Sequence, residues 1–132
     1  MRHLRSDRRR LGRRAERRAA RHLRRRGLRV LARNLRTPAG EIDLLCEDPG
    51  TRCLIFVEVR CVASARGPAR AADAVTYAKA RQVGRAATSW LCTRRARRMG
   101  AADRPIRFDV VGVDARSGVL EHIEDAFGPE ES

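Results

Sequence analysis

The sequence predicts an α/β domain in which helices flank a mixed sheet, in the order helix, three strands, helix, two strands. Three observations lead to this. Leu11 to Arg26 carries an apolar stripe at helical spacing. Two apolar runs, Glu41 to Cys46 and Cys53 to Arg60, flank the turn-prone Glu47–Asp48–Pro49–Gly50. A second helical pattern then separates this hairpin from two further strand-like runs.

Residues 1–10 are mostly charged and lack an apolar period, so they are expected as a basic flexible arm. The first helix follows, with Leu11, Ala15, Ala19, His22 and Leu23 on one stripe and Gly27 as its stop. Leu28 to Ala32 reads as a strand, with a loop through Asn34 and Pro38. In the hairpin's second strand, LIFVEV is apolar except for Glu58, as expected for a central strand buried on both faces. Arg66–Gly67–Pro68 is a loop. A helical region runs from about Ala69 to Arg98, with a break expected near Val75–Thr76, and Val75, Val83, Ala86, Ala87, Trp90 and Leu91 form its apolar face. Ile106 to Val113 and Val119 to Ile123 are the last strands. A single domain over 11–127 and a frayed tail over 128–132 complete the organisation.

Composition narrows the classes. Only 4% of residues are aromatic, so the core should be mostly Leu, Val and Ala, and base stacking is a poor basis for any nucleic-acid contact. No apolar run approaches the roughly 18 residues of a membrane span, and the arginine-rich start has no apolar segment behind it. A cytoplasmic protein without a membrane partner is expected. Cys46, Cys53, Cys61 and Cys92 form no C-x-x-C pair, which argues for thiols and against zinc or a disulfide framework; Cys46 and Cys53 could face each other across the hairpin.

The net charge is +14, and residues 1–36 account for all of it, with 16 arginines against Asp7 and Glu16. Such a block favours phosphate-bearing partners through counterion release, without reading sequence. Arg13, Arg14, Arg17 and Arg36, with Lys79 from the second helical region, are the candidate nucleic-acid-binding residues. Lys79 is the only lysine among 30 basic residues. It either snorkels to the helix edge or reaches towards the sheet.

The chemistry-bearing stretch is Gly40 to Arg60. Glu41 and Asp43 share a face of one strand, and Glu58 and Arg60 a face of the next. A carboxylate on a doubly buried strand is costly unless it is paired or bound to metal. Magnesium prefers hard oxygen ligands, so Asp43, Glu58 and the Val59 carbonyl could hold Mg2+ or Mn2+. Glu16 lies beside the first helix's stripe, where an ion pair with Arg13 or Arg17 is the ordinary role.

Gly40–Glu41–Ile42–Asp43–Leu44 followed by Phe56–Val57–Glu58–Val59–Arg60 resembles the signature of the YraN-like family of small bacterial proteins. The likeness extends through Gly12–Arg13–Arg14–Ala15–Glu16, Gly27 to Arg36, Gly67–Pro68, Lys79 and Arg107–Phe108–Asp109–Val110, so it covers most of 11–113. That family in turn resembles the restriction-endonuclease-like, or PD-(D/E)xK, superfamily, near the Holliday-junction resolvases. The resemblance implies a restriction-endonuclease-like αβββαβ core and metal-dependent cleavage of structured DNA, and it allows a homodimer. Carried over, Asp43 and Glu58 are metal ligands, Glu16 is an additional acid and Glu41 a supporting one, and Arg60 stands where the superfamily has its lysine. Two departures stand out. Ala15 replaces a glycine, which could shift the helix against the sheet. Arg60 stays protonated and cannot manage a water's proton as lysine can, so weakened activity is expected. The alternative is a non-catalytic DNA- or RNA-binding protein that keeps the fold.

Overall fold

The computed structural model describes residues 2–62, 75–114, 117–118 and 120–128. In chain order the elements are α1 (Arg2–Arg25), β1 (Arg29–Thr37), β2 (Gly40–Glu47), β3 (Leu54–Val62), α2 (Tyr77–Leu91), α3 (Arg94–Arg98), a 3-10 turn (Ala101–Asp103), β4 (Ile106–Asp114) and β5 (Leu120–Ile123). The strands form one sheet ordered β1-β2-β3-β4-β5. Only β3 and β4 are parallel. The connection between these two strands carries α2 and α3, as a parallel pair requires. This is the predicted mixed sheet flanked by helices, with β3 at its centre.

Local chemistry sets the boundaries. Helix α1 starts at Arg2, so the flexible arm expected over 1–10 is helical from its second residue: arginine is a good helix former, and no glycine or proline interrupts 2–11. It ends where Gly27 takes φ +86° and the Leu28 N–H turns back to the Leu23 carbonyl at 3.1 Å. The break expected near Val75–Thr76 is the N-cap of α2, where the Thr76 hydroxyl accepts from the Lys79 N–H at 3.1 Å. A second break divides the expected single helix. Thr93 donates to the Trp90 carbonyl at 2.6 Å and caps α3, so α2 stops at Leu91. The loop expected through Asn34 is instead strand up to Thr37, with a register shift between Val30 and Ala32 and Asn34 at φ +50°. The predicted Arg66–Gly67–Pro68 loop, the helical start at Ala69, the first residue of the Val119 strand and residues 129–132 lie outside the described residues.

The core divides by face. Under α1 it is small and aliphatic: Ala15, Ala19, Ala20 and Leu23 meet Leu44, Cys46, Ile55, Val57, Val111 and Val113. Ala15 is buried there, so its methyl group is accommodated between helix and sheet. On the α2 side the few aromatics concentrate. Phe56 stacks on Phe108 at 5.6 Å and meets Trp90 edge-on at 5.9 Å, and Phe108 stacks on Phe127 at 5.1 Å. The expected Leu/Val/Ala core describes one face and not the other. Cys46 and Cys53 are buried thiols in the α1-side cluster, with Cys46 pushed up to about 12 by burial, while Cys61 and Cys92 are exposed. No helix among the described residues is long and apolar enough to cross a membrane.

Candidate functional site

The site forms where the sheet opens. Strands β2 and β3 pair from Glu47↔Leu54 to Leu44↔Val57 and no further. Their outer partners continue: β1–β2 pairing reaches Thr37↔Gly40, and β3–β4 pairing reaches Val62↔Asp114. Beyond Leu44 the two central strands therefore part, and a side chain fills the gap. Asp43 Oδ2 accepts the Val59 N–H at 2.8 Å, in place of a ladder carbonyl. The alternation of β2 slips at the same point, since Ile42 packs in the α2-side core while Leu44 and Cys46 pack under α1.

Glu58 is 3% exposed at this opening and is hydrogen-bonded to Asp43. Lys79 Nζ from α2 and Arg60 Nη1 from the same strand each lie 3.7 Å from Glu58 Oε1. Burial pushes the Glu58 carboxyl up to about 7, Asp43's charge adds to the rise, and Lys79 and Arg60 offset only part of it. Asp43 is also raised, mainly by burial, against the Val59 N–H and Lys79. Of the two, Glu58 is the carboxyl held protonated to higher pH, while Asp43 accepts the Val59 N–H.

Glu16 approaches from α1. Its carboxyl is hydrogen-bonded to Asn34 and raised by burial and by Asp43's charge. Its partner is thus on β1 rather than an arginine of its own helix turn. Gly12, Arg13, Glu16, Asn34, Arg36 and Glu41 line an open groove of about 540 Å³ beside the opening. Arg14 and Arg17 are exposed on α1 outside that lining. Lys79, half-buried, reaches towards the sheet and also lies 3.5 Å from Gln82 Oε1. Asp43, Glu58, Arg60 and Lys79 thus come together, with Glu16 in electrostatic reach of Asp43, while Arg13, Arg36 and Glu41 line the approach.

The two carboxylates are ligands of the kind a hard cation takes and meet with unfavourable mutual charge. The Val59 N–H and the Arg60 and Lys79 cations also face them, so a magnesium ion here would have to keep several waters. Among the described residues no group of three or more His, Cys, Asp or Glu side chains converges on one point, so such a site would rest on two carboxylates, not on an all-protein cage. The contribution of Val59 that the geometry displays is its N–H to Asp43.

A family model described as "Uncharacterised protein family UPF0102" matches residues 15–113. The chain belongs to this family. It is 42% identical to a UPF0102 protein of Dechloromonas aromatica over 91% of this chain and 90% of that protein. It is 46% identical to one from Cupriavidus necator over 88% of this chain and 81% of that protein, and 42% identical to one from Nitratidesulfovibrio vulgaris over 88% and 82%. The UPF0102 match begins at Ala15 and ends at Val113, so it takes in every residue gathered at the sheet opening. Asn34 was not among the residues singled out from sequence. Its signal, an asparagine within a strand at positive φ, becomes visible only once β1 is seen to continue past it.

Proposed function

We propose that this UPF0102 protein is a nuclease-like nucleic-acid-binding protein, acting on structured DNA, in which Asp43 and Glu58 hold Mg2+ or Mn2+ for phosphodiester hydrolysis. The observation that carries the reading is the Asp43–Glu58 carboxyl pair, buried where β2 and β3 part, with Asp43 held by the Val59 N–H. Bound there, the metal would supply Lewis-acid stabilisation of a phosphoryl oxygen and lower the pKa of a coordinated water. The protein's own residues do the rest. Asp43 is oriented by the Val59 N–H, and Glu58 is held ready to give up its proton when a cation replaces it. Arg13 and Arg36 flank the groove where a phosphate backbone would lie.

Lys79 changes the expectation attached to Arg60. The position that carries lysine in the superfamily carries arginine here, yet an ammonium still reaches Glu58, from α2. Lys79 can orient a water or stabilise developing charge there while Arg60 supports Glu58 electrostatically. Calorimetry with magnesium or manganese is the first test. Micromolar-to-millimolar binding by the wild type, lost in Asp43→Ala/Glu58→Ala, is expected, together with cleavage of four-way-junction DNA that depends on the metal. Wild-type protein that binds neither ion would remove the nuclease reading and leave a DNA- or RNA-binding protein with this fold.

A further inference from the structure

A second polar system, independent of the sheet opening, runs under the other part of α1. Asp109 on β4 is wholly buried and accepts four hydrogen bonds: from Arg107 Nε and Nη2 at 2.8 and 2.9 Å, from His122 Nε2 at 2.8 Å and from the Asp125 N–H at 3.0 Å. His122 Nδ1 in turn lies 3.1 Å from His22 Nε2 on α1. With both rings neutral, His122 donates from Nε2 to the acceptor Asp109 and accepts on Nδ1. His22 must then donate from Nε2, which leaves Nδ1 as its titratable nitrogen.

His22 lines a cleft of about 210 Å³ with Arg18, Arg21, Arg25 and Gly118. Gly118, at φ +72°, makes room for Arg18, whose Nη1 lies 2.6 Å from where a Cβ would stand. A carboxylate–histidine–histidine chain is also what supports many metal sites, but the local charge decides against a cation. On α1, Arg18, Arg21 and Arg25 line the cleft and Arg26 acts on His22. From β5 and the residue after it, His122 and Glu124 face this side, and Glu124 is paired to Arg26 at 3.1 Å. Asp109 is saturated by its four donors, and Asp114, below the turn, accepts the Ser117 N–H.

We infer that the cleft of Arg18, Arg21, His22 and Arg25 is a second phosphate-binding site, in which His22 takes up a proton to donate from Nδ1 to the bound anion. Burial, His122 and the neighbouring arginines hold His22 below the usual histidine range, so without an anion it is neutral near pH 7. A bound phosphate reverses the sign of the local field and favours the imidazolium. Six residues separate Glu16 from His22, about 9 Å along the helix axis, so both sites lie along one basic helix.

The test follows the His22 ring by NMR through a pH titration of the full chain, alone, with inorganic phosphate, and with an oligothymidylate lacking terminal phosphates. Saturation with one of the two should raise the His22 pKa by about one unit, equivalent to tenfold tighter binding to the protonated form. The arm that succeeds identifies a free phosphate or a nucleic-acid backbone as the source. Arg21→Ala/Arg25→Ala should abolish the rise. Asp43→Asn should leave it intact, which separates this site from the proposed metal site. His22→Gln should still bind, but without the extra strengthening towards acid pH; phosphate's own ionisation is common to both proteins. A His22 pKa that neither probe moves, or an unchanged pH dependence in His22→Gln, overturns the proposal.

Discussion

Glu58 and Asp109 are buried carboxylates one register step apart on the two central strands, for Glu58 pairs with Val110 and Asp109 with Val57. They face opposite sides of the sheet and solve the same problem in opposite ways. Burial opposes ionisation of Asp109, but the hydrogen bonds from His122, Arg107 and the Asp125 N–H outweigh it and hold the carboxyl below the ordinary range. Glu58 meets a second carboxyl and two cations no nearer than 3.7 Å, and is pushed up to about 7. A charge saturated by short hydrogen bonds is structural, whereas one left under-compensated is available to a ligand.

The sharpest way to break this comparison is Asp109→Ala. It leaves the half-buried Arg107 without its partner, His122 without its anchor and the Asp125 N–H without an acceptor, and should destabilise the protein by about 3–5 kcal/mol. Urea unfolding would show a large fall in midpoint. A loss below about 1 kcal/mol would mean that Asp109 is no better compensated than Glu58. Because His22 hangs on the same chain, its imidazole resonances should shift in any variant that remains folded.

The opposite sign is expected at Glu58. Pushed up to about 7, its carboxyl titrates above the ordinary glutamate value of 4.5, so between these two pH values the folded protein holds a proton that the unfolded chain has released. Stability should therefore fall as pH rises through that window, with the full cost present above it. Glu58→Gln removes the ionisation and should be more stable than wild type by on the order of 2–3 kcal/mol at about pH 8, and near equal below about pH 4.5. If Asp43 and Glu58 hold the proposed ion, added magnesium should narrow the gap at the higher pH by stabilising the wild type more than the variant. An equal difference at both pH values would show that Glu58 is not titrating in this range.

How much of this contrast was legible in the sequence follows from separation along the chain. Asp43 and Glu58 sit on adjacent strands of one hairpin, so periodicity and the turn at Asp48–Pro49–Gly50 bring them together; the Gly50 N–H closes that turn on Asp48 Oδ1 at 2.9 Å. Glu16 came through the family resemblance, since its partner Asn34 lies on a strand whose extent the sequence obscured. The Asp109 system was not foreseen at all. Its links join positions 109 to 122 and 22 to 122, and no spacing rule connects a helix histidine to one a hundred residues on. The parting of β2 and β3 was equally hidden, because both stretches keep strand-like patterns after their pairing has ended.

Lys79 and Arg60 offer the finest division of the Glu58 side. Both cations stand 3.7 Å from the same oxygen and are about one-third exposed. Each favours ionised Glu58, Lys79 the more strongly. Lys79→Met should therefore raise the Glu58 pKa further, by about one unit, and Arg60→Met by less; carboxyl NMR in metal-free protein would measure both. Chemistry should separate them more clearly than titration. If the α2 ammonium serves the chemistry proposed at Glu58, Lys79→Met abolishes metal-dependent cleavage while Arg60→Lys changes it only a few-fold. A large gain on Arg60→Lys would instead place the limitation on β3. It would then be the planar, permanently charged guanidinium that limits the chemistry at this position.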